Sequence, residues 1–154
     1  MMTLQPNSRH CFVCGMENPF GLKLRFYKSG PDEVTVETTI PEGYQGFPDV
    51  VHGGIVSAML DEVAARALLD GEPPRFMFTA RLDIRYRKNV PVGQPLRVVG
   101  KALVVKKRTA TATSLIYDAS GAVLAQAEAL LVNVPEESYQ NEDLESLGWK
   151  VYPK

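Results

Sequence analysis

The chain has 154 residues with 45% hydrophobic and 23% charged content, enough for one domain with a real core. A net charge of −1 gives no basis for a nucleic-acid partner or a charged-membrane partner, and no run of eighteen apolar residues offers a membrane span. The first ten residues lack the apolar core of a signal peptide, and the two cysteines, three apart, make no disulfide framework, so a reduced, cytoplasmic setting is expected.

In chain order, Gly21–Tyr27 alternates Leu22, Leu24 and Phe26 with polar or amphipathic residues and predicts a half-buried strand. A turn at Ser29-Gly30-Pro31 leads to a second strand, Glu33–Ile40, with Val34, Val36 and Ile40 on one side. The glycine-bearing stretch Pro41–Pro48 reads as a loop. Val51–Leu69 then predicts a long helix, because Ile55, Val56, Met59, Leu60, Val63, Ala64, Ala67 and Leu68 recur at helical spacing on one broad face. Beyond the turn Gly71-Glu72-Pro73-Pro74, Phe76–Arg87 has a period of two. Phe76, Phe78, Ala80, Leu82, Ile84 and Tyr86 face one way, and Thr79, Arg81, Asp83, Arg85 and Arg87 the other. A turn at Pro91–Pro95 precedes three further strands, Leu96–Val105, Thr109–Tyr117 and Ala122–Val134, joined by turns at Lys106–Arg108 and Asp118–Gly121.

Short turns favour antiparallel neighbours, and a helix this apolar must be covered. The expected fold is α+β: a curved antiparallel sheet of about six strands wrapped round one long central helix. The domain is expected to span 1–135. The acidic segment 136–154 forms a tail in which Asn141 caps a short helix carrying Leu144 and Leu147, and Trp149 docks it.

His52-Gly53-Gly54 opens the helix, where backbone N–H groups lack partners and the helix dipole adds positive charge. Such a start suits an oxyanion or anion; the glycines equally permit a tight turn or close packing. Asp61 lies two turns in, where a carboxylate must be paired, exposed or used; Arg81 and Arg85 are available partners. Gly53 and Asp61 are eight residues apart, hence roughly 12 Å along one helix and about 80° apart around it. If both act on one substrate atom, the second must come from another copy of the chain, which calls for a dimer with shared sites.

These residues, with the strand FTARLDIRYRKNVPVG, resemble the hotdog-fold acyl-CoA thioesterases, particularly the group of the phenylacetate-pathway thioesterase and the thioesterase-superfamily members, over Cys11–Asn133. The resemblance implies hydrolysis of acyl-CoA thioesters by homodimers or homotetramers with shared active sites and no cofactor. It implies Asp61 as nucleophile or general base, Gly53 N–H as oxyanion donor and His52 as the group orienting the thioester carbonyl. Thr79 would position the attacking water, and Gly54, Arg87 and Lys88 would bind substrate. Phe47, Pro48 and Met77 are candidates for the acyl site. Two departures stand out: Gly46 occupies a position where many relatives have Asn, and strict alternation turns Thr79 away from Leu82. Glu62 reads as a surface or supporting carboxylate. The alternative is a non-catalytic acyl-CoA binding or sensing module. A dehydratase is disfavoured, because His10 and His52 are the only histidines.

The Arg85–Lys88 and Lys106–Arg108 clusters suit phosphate, although charged strand faces and turns of this kind are common. His10-Cys11-x2-Cys14-Gly15 offers one zinc knuckle where zinc sites ordinarily use two, so it reads as a tight turn of reduced thiols with no metal assigned. A zinc-stabilised interaction domain, drawing on His10 and His52, is the third reading. A similar opening occurs in bacterial members of the resembled group.

Overall fold

The computed structural model describes residues 1–154. One helix, α1 (Gly53–Arg66), lies against a seven-stranded antiparallel sheet made of β1 (Thr3–Leu4), β2 (Tyr27–Gly30), β3 (Glu33–Thr39), β4 (Met77–Tyr86), β5 (Pro95–Val105), β6 (Thr109–Tyr117) and β7 (Val123–Asn133). The α+β arrangement of a curved sheet round a central helix is as expected, with a two-residue first strand added.

The helix forms inside the expected Val51–Leu69 but is shorter by two residues at its start and three at its end, with Ala67 and Leu68 buried in the turn that follows. Val56, Met59, Leu60, Val63 and Ala64 are each 1% exposed or less. Its start is set by His52, whose extended backbone (ψ 136°) stops the helix there and whose Nδ1 accepts the Gly54 N–H at 2.8 Å. Small residues on the sheet let the helix sit close. Ala102, Ala110, Ala112, Ala125, Ala127 and Ala129 are all buried. Gly100 is closest: a Cβ there would stand 2.1 Å from the Val63 carbonyl oxygen.

Three expectations are corrected. The strand expected at Gly21–Tyr27 begins only at Tyr27 and runs to Gly30, which moves the turn to Pro31–Asp32. Lys23 has a positive φ of 51°, and the Leu22 and Leu24 N–H groups donate to the Phe12 and Val13 carbonyls of the cysteine loop rather than to a strand. Leu24 and Phe26 are nevertheless buried, as their alternation requires.

The turn at Pro91–Pro95 does not join neighbours. The sheet order is β1-β2-β3-β5-β6-β7-β4, so β4 pairs with β7 and forms the far edge, whereas β5 pairs with β3 and β6. Backbone bonds from Val51 to Val90, Val92 to Asp49 and Gly93 to Ile40 hold this link against the segments beside the helix start, which carries the chain across.

The tail contains no helix capped by Asn141. A short 3-10 turn, Glu136–Ser138, is followed by turns in which Asp143 accepts the Glu145 and Ser146 N–H groups. Trp149 does dock, edge-on to Phe76 at 5.1 Å, with the Arg66 guanidinium 5.0 Å from its ring centre.

Candidate active site along the helix and strand β4

Strand β4 carries a bulge. Thr79 opposes Leu131 on β7, and Arg81 opposes the very next residue, Leu130, which leaves Ala80 as the extra residue. The bulge reverses the parity of everything before it. Thr79 therefore shares the helix-facing side with Leu82 and Ile84, and Phe78 turns outward at 59% exposure. Strict alternation had placed Thr79 on the opposite face from Leu82. The bulge is the reason it does not apply.

The consequence is a contact that joins helix and strand: Thr79 Oγ1 donates to Asp61 Oδ1 at 2.5 Å. Asp61 pairs with neither Arg81 nor Arg85. Arg81 instead binds Asp83 at 3.0 Å on the outer surface. Oδ2 of Asp61 takes no hydrogen bond from the chain, and Asp61 is half-buried beside the open edge of β4.

At the helix start, the Gly53 carbonyl accepts from Tyr86 Oη at 2.8 Å and from Ser57 Oγ at 2.9 Å, and those two hydroxyls lie 2.8 Å apart. This cluster ties the first turn of α1 to the end of β4. Neither residue was singled out from sequence; Ser57, one turn after Gly53, was the available sign. The Gly53 N–H donates to no group of the chain. The Gly54 N–H is committed to His52, and a Cβ on Gly54 would meet His52 Nδ1 at 3.1 Å. Because Nδ1 accepts that N–H, the neutral His52 ring carries its proton on Nε2. Gly46 lies beneath it, where a Cβ would come 3.1 Å from His52 Cα.

Arg87 and Lys88 share a cleft of about 320 Å³ with Gly53, Tyr86 and Asn89. Arg87 Nε donates to Gln126 at 2.7 Å, and its two terminal nitrogens bond to no group of the chain. The Lys106–Arg108 turn lies at the other end of the sheet, where Arg75 and Asn133 hold its carbonyls. Met77 lines a second cavity of about 380 Å³ with Phe76, Phe78, Ala65, Tyr139 and Trp149, whereas Phe47 is 78% exposed and not part of it.

Of the two readings of Glu62, the supporting one holds: half-buried, it accepts from the buried Arg66 Nε at 3.1 Å, and burial raises its pKa against the lowering effect of that guanidinium. The Cys14 pKa is held down at about 5, first by a hydrogen bond from Cys11 and then by Arg66 and Ser8; the same bond raises that of Cys11. Neither histidine joins this group.

A single helix wrapped by a curved antiparallel sheet is the hotdog class of fold. The sequence profile of the thioesterase superfamily matches residues 49–125, half of the chain, and the chain belongs to that superfamily. A crystal structure of a thioesterase superfamily protein is 32% identical with a TM-score of 0.73, and the match covers 80% of this chain and 60% of that one. This chain thus spans less than two thirds of that relative. Zebrafish thioesterase superfamily member 2 has a TM-score of 0.67 at 18% identity, over 76% of this chain and 88% of its own. A Streptococcus mutans protein crystallised with acetyl CoA has a TM-score of 0.65 at 15% identity, over 72% of this chain and 88% of its own. At these last two identities the likeness is one of fold. No protein of curated function matches the chain. No helix is long and apolar enough to cross a membrane.

Proposed function

We propose that the protein hydrolyses acyl-CoA thioesters to the free acid and coenzyme A, with Asp61 as general base. The observation that carries this reading is the Thr79–Asp61 bond. One carboxylate oxygen is held by Thr79, and the other is left to accept a proton from water. Water attacks the thioester carbon as its proton passes to Asp61. The carbonyl becomes a tetrahedral oxyanion, and its collapse expels the coenzyme A thiolate, which takes the proton back.

The oxyanion needs a donor that Asp61's own helix start, roughly 12 Å away, lies too far off to supply. The outer edge of β4 is unpaired, and Thr79 and Tyr86 on it are exposed. Pairing two β4 edges across a two-fold axis would cover these residues and bring Gly53 of the partner subunit to Asp61. His52 would steer the carbonyl through Nε2. Arg87 and Lys88, in the cleft at Gly53, would take the phosphates of coenzyme A. Gly54 serves substrate binding by lacking a side chain beside His52. The Streptococcus mutans relative with acetyl CoA supports a ligand of this class.

The test is thiol release from short, long and aromatic acyl-CoAs by wild type and Asp61→Asn. Turnover that falls by about a hundredfold or more in the variant supports hydrolysis through Asp61. Tight acyl-CoA binding without wild-type turnover would instead favour a binding or sensing module.

A further inference from the structure

Cys11, Cys14 and Glu62 come together from two separate parts of the chain, and nothing in the proposed hydrolysis uses them. Their two sulfurs and a carboxylate oxygen all lie within 4.8 Å of one another. Ligand atoms on a four-coordinate zinc, with bonds of about 2.3 Å to sulfur and 2.0–2.2 Å to oxygen, lie about 3.5–3.8 Å apart. Closing the observed cluster onto an ion therefore takes movement on the order of 1 Å.

The cysteine loop is already shaped for this. The Val13 N–H points at Cys11 Sγ (3.4 Å), the backbone-to-sulfur bond of a metal knuckle, and the Gly15 N–H closes the turn on the Cys11 carbonyl at 2.8 Å. Only glycine fits position 15, since a Cβ would stand 2.4 Å from the Cys11 carbonyl oxygen. Asn7 clamps the loop from below by donating to the Cys14 and Leu24 carbonyls, each at 2.9 Å. Glu62 reaches the loop from α1, on the residue after Asp61.

Charge also fits. Two thiolates and a carboxylate around a dication leave one net negative charge, and the Arg66 guanidinium beside Glu62, on a side chain only 3% exposed, cancels it. Sulfur ligands select a soft or borderline ion over calcium or magnesium, which require oxygen shells.

We propose that Cys11, Cys14 and Glu62 form a zinc site that staples the amino-terminal loop to the central helix next to Asp61. The ligand set differs from the one the sequence suggested. His10 and His52 lie outside it, so His52 stays free to cap the helix, and the third ligand comes from the helix interior.

The experiment is a cobalt(II) titration of the reduced, chelator-treated full-length protein, followed by zinc competition. Saturation at one cobalt per chain is expected, with thiolate-to-cobalt charge transfer in the near ultraviolet and intense visible bands of a tetrahedral site, all displaced by zinc. Cys14→Ser should remove most of the charge-transfer intensity. Glu62→Gln should shift the visible bands and weaken binding on the order of tenfold or more. If Glu62→Gln does not fold, Glu62→Asp, which keeps a carboxylate on a stem one methylene too short to reach the thiols, should weaken cobalt binding by a similar factor. The proposal is overturned by a wild type without thiolate charge transfer, by Glu62 variants with unchanged bands and affinity, or by loss of binding in His10→Ala or His52→Ala. Isolation of a Cys11–Cys14 disulfide that takes up no metal after reduction would also overturn it.

Discussion

Thr79 reaches Asp61 at 2.5 Å because Ala80 is an extra residue in the ladder between β4 and β7. Without that bulge the hydroxyl would point away from the helix, and Asp61 would face the edge of the sheet with no strand partner. The bulge thus converts an ordinary threonine into the group that orients the acid.

Removing only the hydroxyl tests this. Thr79→Val keeps the shape of the side chain and removes one hydrogen bond, so stability should fall by only about 1 kcal/mol. Turnover should fall by about tenfold or more, mainly in kcat, because the group acts on Asp61 and not on substrate binding. Thr79→Ser should restore most of it. Equal activity in Thr79→Val and wild type would remove Thr79 from the site.

Gly53 is the first residue of α1, and its N–H has no partner in the chain. His52 before it has φ −54° and ψ 136°, the extended backbone that a following proline requires. Gly53→Pro should therefore preserve the helix while deleting one donor, lowering turnover by about a hundredfold or more. Co-expressed with Asp61→Asn, it gives mixed dimers with one intact site each, and about a quarter of wild-type turnover should return if sites are shared. No recovery would show that each chain works with its own Gly53 and Asp61.

Gly100 separates packing from chemistry. It lies under Val63, and an added methyl would meet that residue's carbonyl oxygen at 2.1 Å and carbonyl carbon at 2.6 Å. Backbone cannot give way as a flexible side chain does. Gly100→Ala should cost about 3 kcal/mol and lower the melting temperature by about 6–12 °C. A thermal melt within about 2 °C of wild type would mean that helix and sheet slide apart freely.

Asp118, within reach of the Lys88 charge, gives a pH signature of its own turn. Its carboxylate accepts from the Ser120 hydroxyl at 2.6 Å, the Ser120 N–H at 2.9 Å and the Ala122 N–H at 3.0 Å. These bonds, the Ser120 hydroxyl first, hold its pKa below the ordinary aspartate value of 3.8. A depressed pKa adds stability above the unfolded value, and that stability is lost as pH falls through the folded one. Asp118→Ala should melt below wild type at neutral pH, and the two should converge in strongly acid solution. A gap that persists under acid would assign the effect to the turn backbone instead.

The sequence by itself determined the helix, its buried face, its histidine start and the course of five of the six expected strands, because each is written locally in a period of 3.6 or 2. Val56, Met59, Leu60 and Val63 on the helix, Val34 and Val36 on β3, and Ile40 just beyond it are buried as their spacing requires. It also placed the Gly53–Asp61 separation, since that depends only on helical rise. Tertiary structure alone decided which elements meet. A period says which side of a strand is covered but not which strand lies beside it, so β4 could be put next to β5 on paper while the fold sends it to the far edge. Nor does a bulge leave a mark in composition: one unpaired residue, Ala80, reverses the facing of Thr79 without changing a letter of the pattern. The same holds for Glu62. Its neighbours Cys11 and Cys14 lie about fifty residues away in the chain, and only the folding of the loop back onto α1 turns a surface-looking carboxylate into a half-buried partner of two thiols and Arg66.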